Sequence, residues 1–260
     1  MTAALRAILF DLGDTLIDFE PMDTRGVFRA AARQTYDFLR ARGIEPPPFE
    51  AYCRRQFQAV RWAYFWAKLR RRDFNSLQIL RSFCSDFVGA SLCDADLHQL
   101  AWLWYAPLVE HSGVEEGLAD TLSTLRRRGY RLGLVSNTFV DGAIHDRHLA
   151  LHGLLEFFPV RVYSSAVGYR KPDPRIFRTA LERLNVAAGE AMFVGDLVKT
   201  DIVGARRAGM VTVLKQPWGG ARAGRVADFV IRQVAELPDV VAKLDSSGRD
   251  NGVPAPAFAG

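Results

Sequence analysis

The stretch AILFDLGDTLID, Ala7 to Asp18, decides how this chain folds. Its opening run, Ala7 to Phe10, is apolar and too short for a helix, so it reads as a buried strand. Asp11 then stands at the carboxyl end of that strand, the edge at which open α/β sheets place their ligands. A second carboxylate, Asp14, lies shortly beyond it, with Gly13 between the two. Carboxylates placed directly after a buried strand raise a chemical question before a structural one.

Outward from this stretch, the chain changes texture twice. Residues 21–110 show a helical pattern with no convincing alternation, and PPP at Pro46–Pro48 is the clearest break. Within it, Trp62, Phe65, Trp66 and Leu69 fall on one stripe of an amphipathic helix. The stripe is expected to pack against neighbouring helices; the alternative is that some of its aromatics wall a ligand pocket. From Val114 onward, helical segments alternate with the short β-rich runs YRLGLVS, PVRVYS, AMFVGD and MVTVLK. That alternation is the βαβ signature of a parallel sheet. The expected architecture is therefore α/β, a Rossmann-like parallel sheet flanked by helices, interrupted after its first strand by an all-helical insertion. The tail SSGRDNGVPAPAFAG has little to bury and is expected to be mobile.

Composition fits a globular chain: 49% of the 260 residues are hydrophobic, enough for a packed core. No apolar stretch approaches the roughly 20 residues of a membrane span, and Arg6 breaks any nascent signal-peptide core. A cytoplasmic location without membrane association is expected. Cys53, Cys84 and Cys93 lack CxxC spacing and read as reduced packing residues. The formal net charge is +5, with arginine runs at LRRRD (69–73) and LRRRG (125–129). Both runs sit where helices are expected to end, where cations interact favourably with the helix dipole. Nucleic acid is therefore not the expected partner; attraction of small anions is.

Further polar residues sit at the ends of the later strands. Ser136 and Asn137 follow RLGLV; Gly195 and Asp196 end MFVGD, with Asp201 placed at the start of a helix; Lys171 precedes Pro172, which keeps it extended. Taken singly, Asp201 can cap a helix, Lys171 can be a solvated charge, and Ser136 and Asn137 can form a turn. In a parallel sheet, however, these positions can converge with Asp11 on one crevice.

In order along the chain, DLGDTL, VSN, RKPDP and GDLVKTD resemble the motif set of the haloacid dehalogenase superfamily of hydrolases. The likeness extends to about residue 240, and the helical insertion matches the cap that many members carry between their first two motifs. The resemblance implies a core of residues 1–18 and 112–244, a helical cap at 19–111 and a flexible tail at 245–260. It implies a phosphatase acting on a small phosphorylated metabolite. Asp11 is then the nucleophile, forming an aspartyl-phosphate that water hydrolyses. A carboxylate and one phosphate charge about 4 Å apart repel by roughly 4 kcal/mol at an effective dielectric of about 20, so cations are required. Magnesium held by Asp11, Asp196 and the Gly13 carbonyl supplies one, and Lys171 another. Ser136 donates to a phosphoryl oxygen, Asn137 assists, and Asp201 orients Lys171 or a metal-bound water.

One residue departs from the family pattern. The commonest first motif is DxDxT, whose second Asp transfers protons; here that position is Gly13. Loss of general acid-base help costs about 10² to 10⁴ in rate. Asp14 or water is expected to cover the deficit. The alternatives are a weakly active or inert binder of metal and phosphate, or a 2-haloacid dehalogenase, which expels halide without an acid.

Overall fold

Strand β1 (Ala7–Phe10) lies in the middle of a six-stranded parallel sheet, and its AILF sequence explains why. Successive side chains of a strand point to opposite faces. Ile8 and Phe10 join one apolar cluster and Ala7 and Leu9 another, and all of them are fully buried. A strand covered on both faces has to be apolar throughout. The computed structural model describes residues 4–70, 75–85, 92–217 and 226–249, apart from the side chains of 67–70 and 245–249.

After β1 the chain turns back into a short strand, β2 (Asp18–Phe19), and enters the helices α1 (Thr24–Ala41), α2 (Phe49–Arg70), α3 (Ser76–Ser85) and α4 (Asp94–Val109). It returns through β3 (Ser112–Gly113), which pairs antiparallel with β2. The remainder alternates as expected: α5 (Leu118–Arg127), β4 (Arg131–Ser136), α6 (Gly142–Leu151), β5 (Val160–Tyr163), α7 (Ser164–Val167) and α8 (Pro174–Leu184). There follow β6 (Ala191–Gly195), α9 (Val203–Ala208), β7 (Val211–Lys215), β8 (Phe229–Ile231) and α10 (Leu237–Arg249). The sheet order is β5-β4-β1-β6-β7-β8. From β1 the chain builds outward through β4 and β5, then crosses to β6 on the other side. The reversal of direction lies at β1, so the crevice outside the carboxyl ends of β4, β1 and β6 is the switch point of the sheet.

Helices cover both faces. Leu118, Leu122 and Leu125 of α5 and Leu237, Val240 and Val241 of α10 pack with Ile8, Phe10, Leu132 and Val194; Ile176, Phe177 and Leu181 of α8 pack with Leu9, Val135 and Phe193. The inserted helices hold a separate cluster that includes Ala32, Leu39, Tyr52, Leu80, Phe83, Leu100 and Tyr105. Pro46–Pro48 separates α1 from α2, as a run of residues lacking backbone donors should.

Several expectations need correction. Trp62, Phe65 and Trp66 do not pack into the helical cluster: they are 62, 54 and 45% exposed and meet one another edge to face. The Leu69 side chain lies outside the described residues. Their helical spacing gives a stripe, but periodicity cannot tell how deeply a stripe is buried. Cys84 is buried as expected, whereas Cys93 is exposed, with its thiol 3.2 Å from Asp96. Helix α10 runs through Arg249, past the expected start of the tail at 245; the rest of the tail, 250–260, lies outside the described residues, as do Arg71 to Asp73 of the first arginine run. The second run behaves as expected, with Arg126 and Arg127 in the last turn of α5. No described helix is long and apolar enough to cross a membrane.

Candidate active site

Register brings the strand ends together. Phe10 is paired with Leu134 on one side and with Val194 on the other, and the Asp11 amide donates to the Val194 carbonyl at 2.9 Å. Asp11 is therefore flanked by the ends of β4, where the buried Ser136 sits, and of β6, which leads to Asp196. Carboxylate oxygens of Asp11, Asp196 and Asp201 all lie within 4.8 Å of one another.

Lys171 occupies the middle of this acidic group. Its Nζ lies 2.7 Å from Asp11 Oδ1 and 2.8 Å from Asp201 Oδ1, and its side chain is almost fully buried. A buried ammonium is tolerated only when paired. Burial alone would depress the lysine pKa, but Asp11 and Asp201 outweigh it and hold the ammonium above its usual range. Lys171 Nζ makes ion pairs with the two carboxylates without an aligned hydrogen bond to either, so at least one of its three N–H bonds is open to a further acceptor. Lys171 itself is in a turn, before α8 begins at Pro174, consistent with the restriction that Pro172 imposes.

The lysine backbone is held by Asn137. The Asn137 amide donates to the Lys171 carbonyl at 2.9 Å and its Oδ1 accepts from the Lys171 amide at 2.7 Å. Both ends of the side chain are thus committed to the lysine backbone, so the Asn137 side chain braces the lysine, and the expected assistance toward phosphate falls to its backbone. The loop beyond it is braced as well: Thr138 bonds Ser164 through its amide at 2.8 Å and His145 through its hydroxyl at 2.8 Å. Burial pushes His145 down to about 4, so that ring is neutral at neutral pH.

Asp201 stands at the start of a helix, as expected. It lies in a π-helical turn, Val198–Ile202, that precedes α9, and its carboxylate accepts from the Leu197 amide at 2.9 Å while holding Lys171. Gly195 makes this possible, because a Cβ there would stand 2.6 Å from the Asp201 Cβ. Any side chain at 195 would displace the residue that positions the lysine.

Asp14 is exposed and has φ +54°, and its carboxylate accepts from the Phe19 amide at 3.3 Å. It closes the turn after β1, which favours the turn-forming role of an Asp in the left-handed region. Gly13, by contrast, is not required by its backbone. Its φ is not positive, and a Cβ would meet only a Phe19 ring carbon at 3.7 Å.

The crowding of carboxylates has an electrostatic consequence. Burial, only partly offset by Lys171, raises Asp11 to about 6; burial together with the charges of Asp11 and Asp201 raises Asp196 to about 7. One ammonium does not neutralise this group, and a cation between Asp11 and Asp196 would. Oxygen donors of this kind suit a hard divalent ion such as magnesium. Thr15, the threonine of DLGDTL, is fully buried and donates from Oγ1 to Asp196 at 3.4 Å.

Comparison with known proteins agrees with this geometry. A family model described as haloacid dehalogenase-like hydrolase matches residues 5–209. The chain is 31% identical over 250 residues to a glyceraldehyde 3-phosphate phosphatase of Methanopyrus kandleri, covering 92% of this chain and 98% of that one. Among solved structures it resembles a HAD phosphatase from Thermococcus onnurineus, with 28% identity, 91 and 98% coverage and a TM-score of 0.57. It also resembles a 2-haloacid dehalogenase from Pseudomonas syringae, with 28% identity, 92 and 99% coverage and a TM-score of 0.61.

Proposed function

The chain belongs to the haloacid dehalogenase-like hydrolase family, and we propose on that footing that it is a magnesium-dependent phosphatase of a small phosphorylated metabolite. The observation that carries this reading is the buried Lys171 held between Asp11 and Asp201, beside Asp196, at the switch point of the sheet. In this reading the helices between β2 and β3 form the cap over a core of residues 1–18 and 112–244.

Asp11 attacks the phosphorus atom; an Asp11 oxygen–phosphorus bond forms as the bond to the leaving alcohol breaks. Lys171 directs an open N–H at a phosphoryl oxygen, and Ser136 donates its hydroxyl to another. Asn137 holds the lysine backbone, and Asp201 holds its ammonium. Asp11, Asp196 and the Gly13 carbonyl would hold magnesium, which offsets phosphate charge as a Lewis acid when bound. Water then cleaves the aspartyl-phosphate and restores Asp11. The residues at 13 and 14 offer no well-placed proton donor, so the leaving alcohol takes its proton from water.

The test is hydrolysis of p-nitrophenyl phosphate with magnesium, alongside magnesium titration calorimetry across pH. Turnover should vanish in excess EDTA. Magnesium competes with protons at carboxylates raised to about 6 and about 7. Affinity should accordingly be full above pH 8 and fall as pH drops through that range, with proton release on binding. Turnover that survives EDTA would contradict the metal role. Phosphate binding without turnover would support an inert binder, and halide release from a 2-haloacid would support the dehalogenase reading favoured by the absence of an acid at Gly13.

Gly13→Asp provides a second test. A side chain fits at this position, so the variant should fold with stability within about 1 kcal/mol of the parent. It should raise kcat about tenfold or more for alkyl phosphates, whose leaving groups need a proton, and little for p-nitrophenyl phosphate. Equal effects on both substrates would mean that proton transfer does not limit the reaction.

A further inference from the structure

Lys215, at the end of β7, is buried to the same degree as Lys171 but, unlike it, has hydrogen-bonded partners. Its Nζ lies 2.7 Å from Glu115 Oε1 and 2.9 Å from Asp18 Oδ1, and donates to the Thr15 carbonyl at 3.0 Å. Two of its donors are taken by hydrogen bonds to Asp18 and Thr15, and Glu115 adds a close ion pair. These acceptors belong to the two chain segments that lead into and out of the inserted helices. Asp18 is in β2, paired with Gly113 of β3, and Glu115 follows two residues after that pair. Glu115 also accepts from the Val234 amide at 2.7 Å, which fixes the returning segment to the chain beyond β8.

Thr15 connects this arrangement to the acidic group. Its carbonyl receives Lys215, and its hydroxyl donates to Asp196. From this connection we infer that Lys215 is a positioning residue: it fastens both linkers to the sheet and, through Thr15, sets Asp196 for its cation. The second half of that statement rests on the phosphatase reading; the first does not. A Lys at this position differs from Lys171, which retains a donor for substrate. Lys215 is enclosed by Asp18, Thr15 and Glu115 and acts only through these neighbours.

The experiment compares the parent with Lys215→Met, which keeps most of the length of the side chain and removes its charge. Hydrogen–deuterium exchange is followed in residues 12–20 and 110–116, and magnesium chloride alone is titrated by calorimetry. kcat and KM for p-nitrophenyl phosphate are measured at saturating magnesium. Exchange should rise about tenfold in both linkers together, and magnesium Kd should rise about tenfold, the scale usual for groups that orient ligands. KM should move less than kcat. Lys215→Arg, which retains the cation, should recover part of the magnesium affinity. If Lys215→Met does not fold, Glu115→Gln removes a single charged partner and should shift the same two readouts in the same direction, by less.

A folded Lys215→Met protein with parental exchange in both linkers overturns the fastening role. Faster exchange with unchanged magnesium Kd overturns the positioning role. Should the parent lack phosphatase turnover, the phosphatase reading fails by itself, because exchange and magnesium titration still decide the role of Lys215.

Discussion

Asp11→Asn should abolish turnover, by about 10⁴-fold or more, while leaving the protein folded. Removing a nucleophile typically eliminates most of the catalysis that remains above binding and charge stabilisation. Asn retains the shape of the side chain and an oxygen that can accept from the Leu12 amide, which Asp11 now does at 2.7 Å. It also removes a charge from a group in which Asp11 and Asp196 are both raised by burial and by neighbouring carboxylates. Thermal stability without metal should therefore fall little. A comparison of kcat/KM with the thermal midpoint for parent and variant provides the check. Residual activity within tenfold of the parent would mean that another residue attacks phosphorus, and the assignment of Asp11 would fail.

Lys171→Met should damage both activity and stability. The ammonium sits within 2.8 Å of two carboxylates, and its removal leaves Asp201, which is fully buried, facing Asp11 without a counter-charge. Removing one partner from a buried ion pair costs about 3 to 5 kcal/mol. That penalty should shrink on acidification, because protonated carboxyls no longer repel. Denaturant titration at pH 8 and pH 5 would show the difference. A Lys171→Met, Asp201→Asn double variant separates the two effects: stability should return toward the parent, and turnover should not. If the double variant regains activity, Lys171 acts only by balancing charge.

The sequence makes the chemistry of the strand ends legible and hides most of what supports them. Asp11, Ser136, Lys171 and Asp196 can be read because buried apolar runs of strand length end at each of the three carboxylate- or hydroxyl-bearing edges, and Pro172 keeps the lysine out of α8. The β2–β3 pairing cannot be read, since each strand has two residues and no period. Strand β8 is missed for a related reason: it is three residues long and only partly buried. The reciprocal bonding of Asn137 to the Lys171 backbone joins positions distant in sequence, and no local pattern announces it. Lys215 was similarly invisible, as a lysine at the end of MVTVLK reads as a solvated charge. Its burial depends on two linkers that enter and leave the helices, and only their meeting in space reveals it. The spacing of the α2 aromatics was correct and their environment was not, because an amphipathic pattern specifies a face without specifying a cover.

The placement of tryptophan gives the insertion an optical signature of its own. Of five tryptophans in the chain, Trp62, Trp66, Trp102 and Trp104 lie in α2 and α4. Trp62 and Trp66 face water, whereas Trp102 is buried and Trp104 stacks edge to face with Phe139, in the loop that follows Ser136 and Asn137. Ultraviolet emission therefore reports on the inserted helices far more than on the sheet. Among the described tryptophans, the water-facing pair belongs to α2, and Trp104 reports on the loop at Phe139. A change in the second without the first would record a local rearrangement at the loop, with the outer helix left undisturbed.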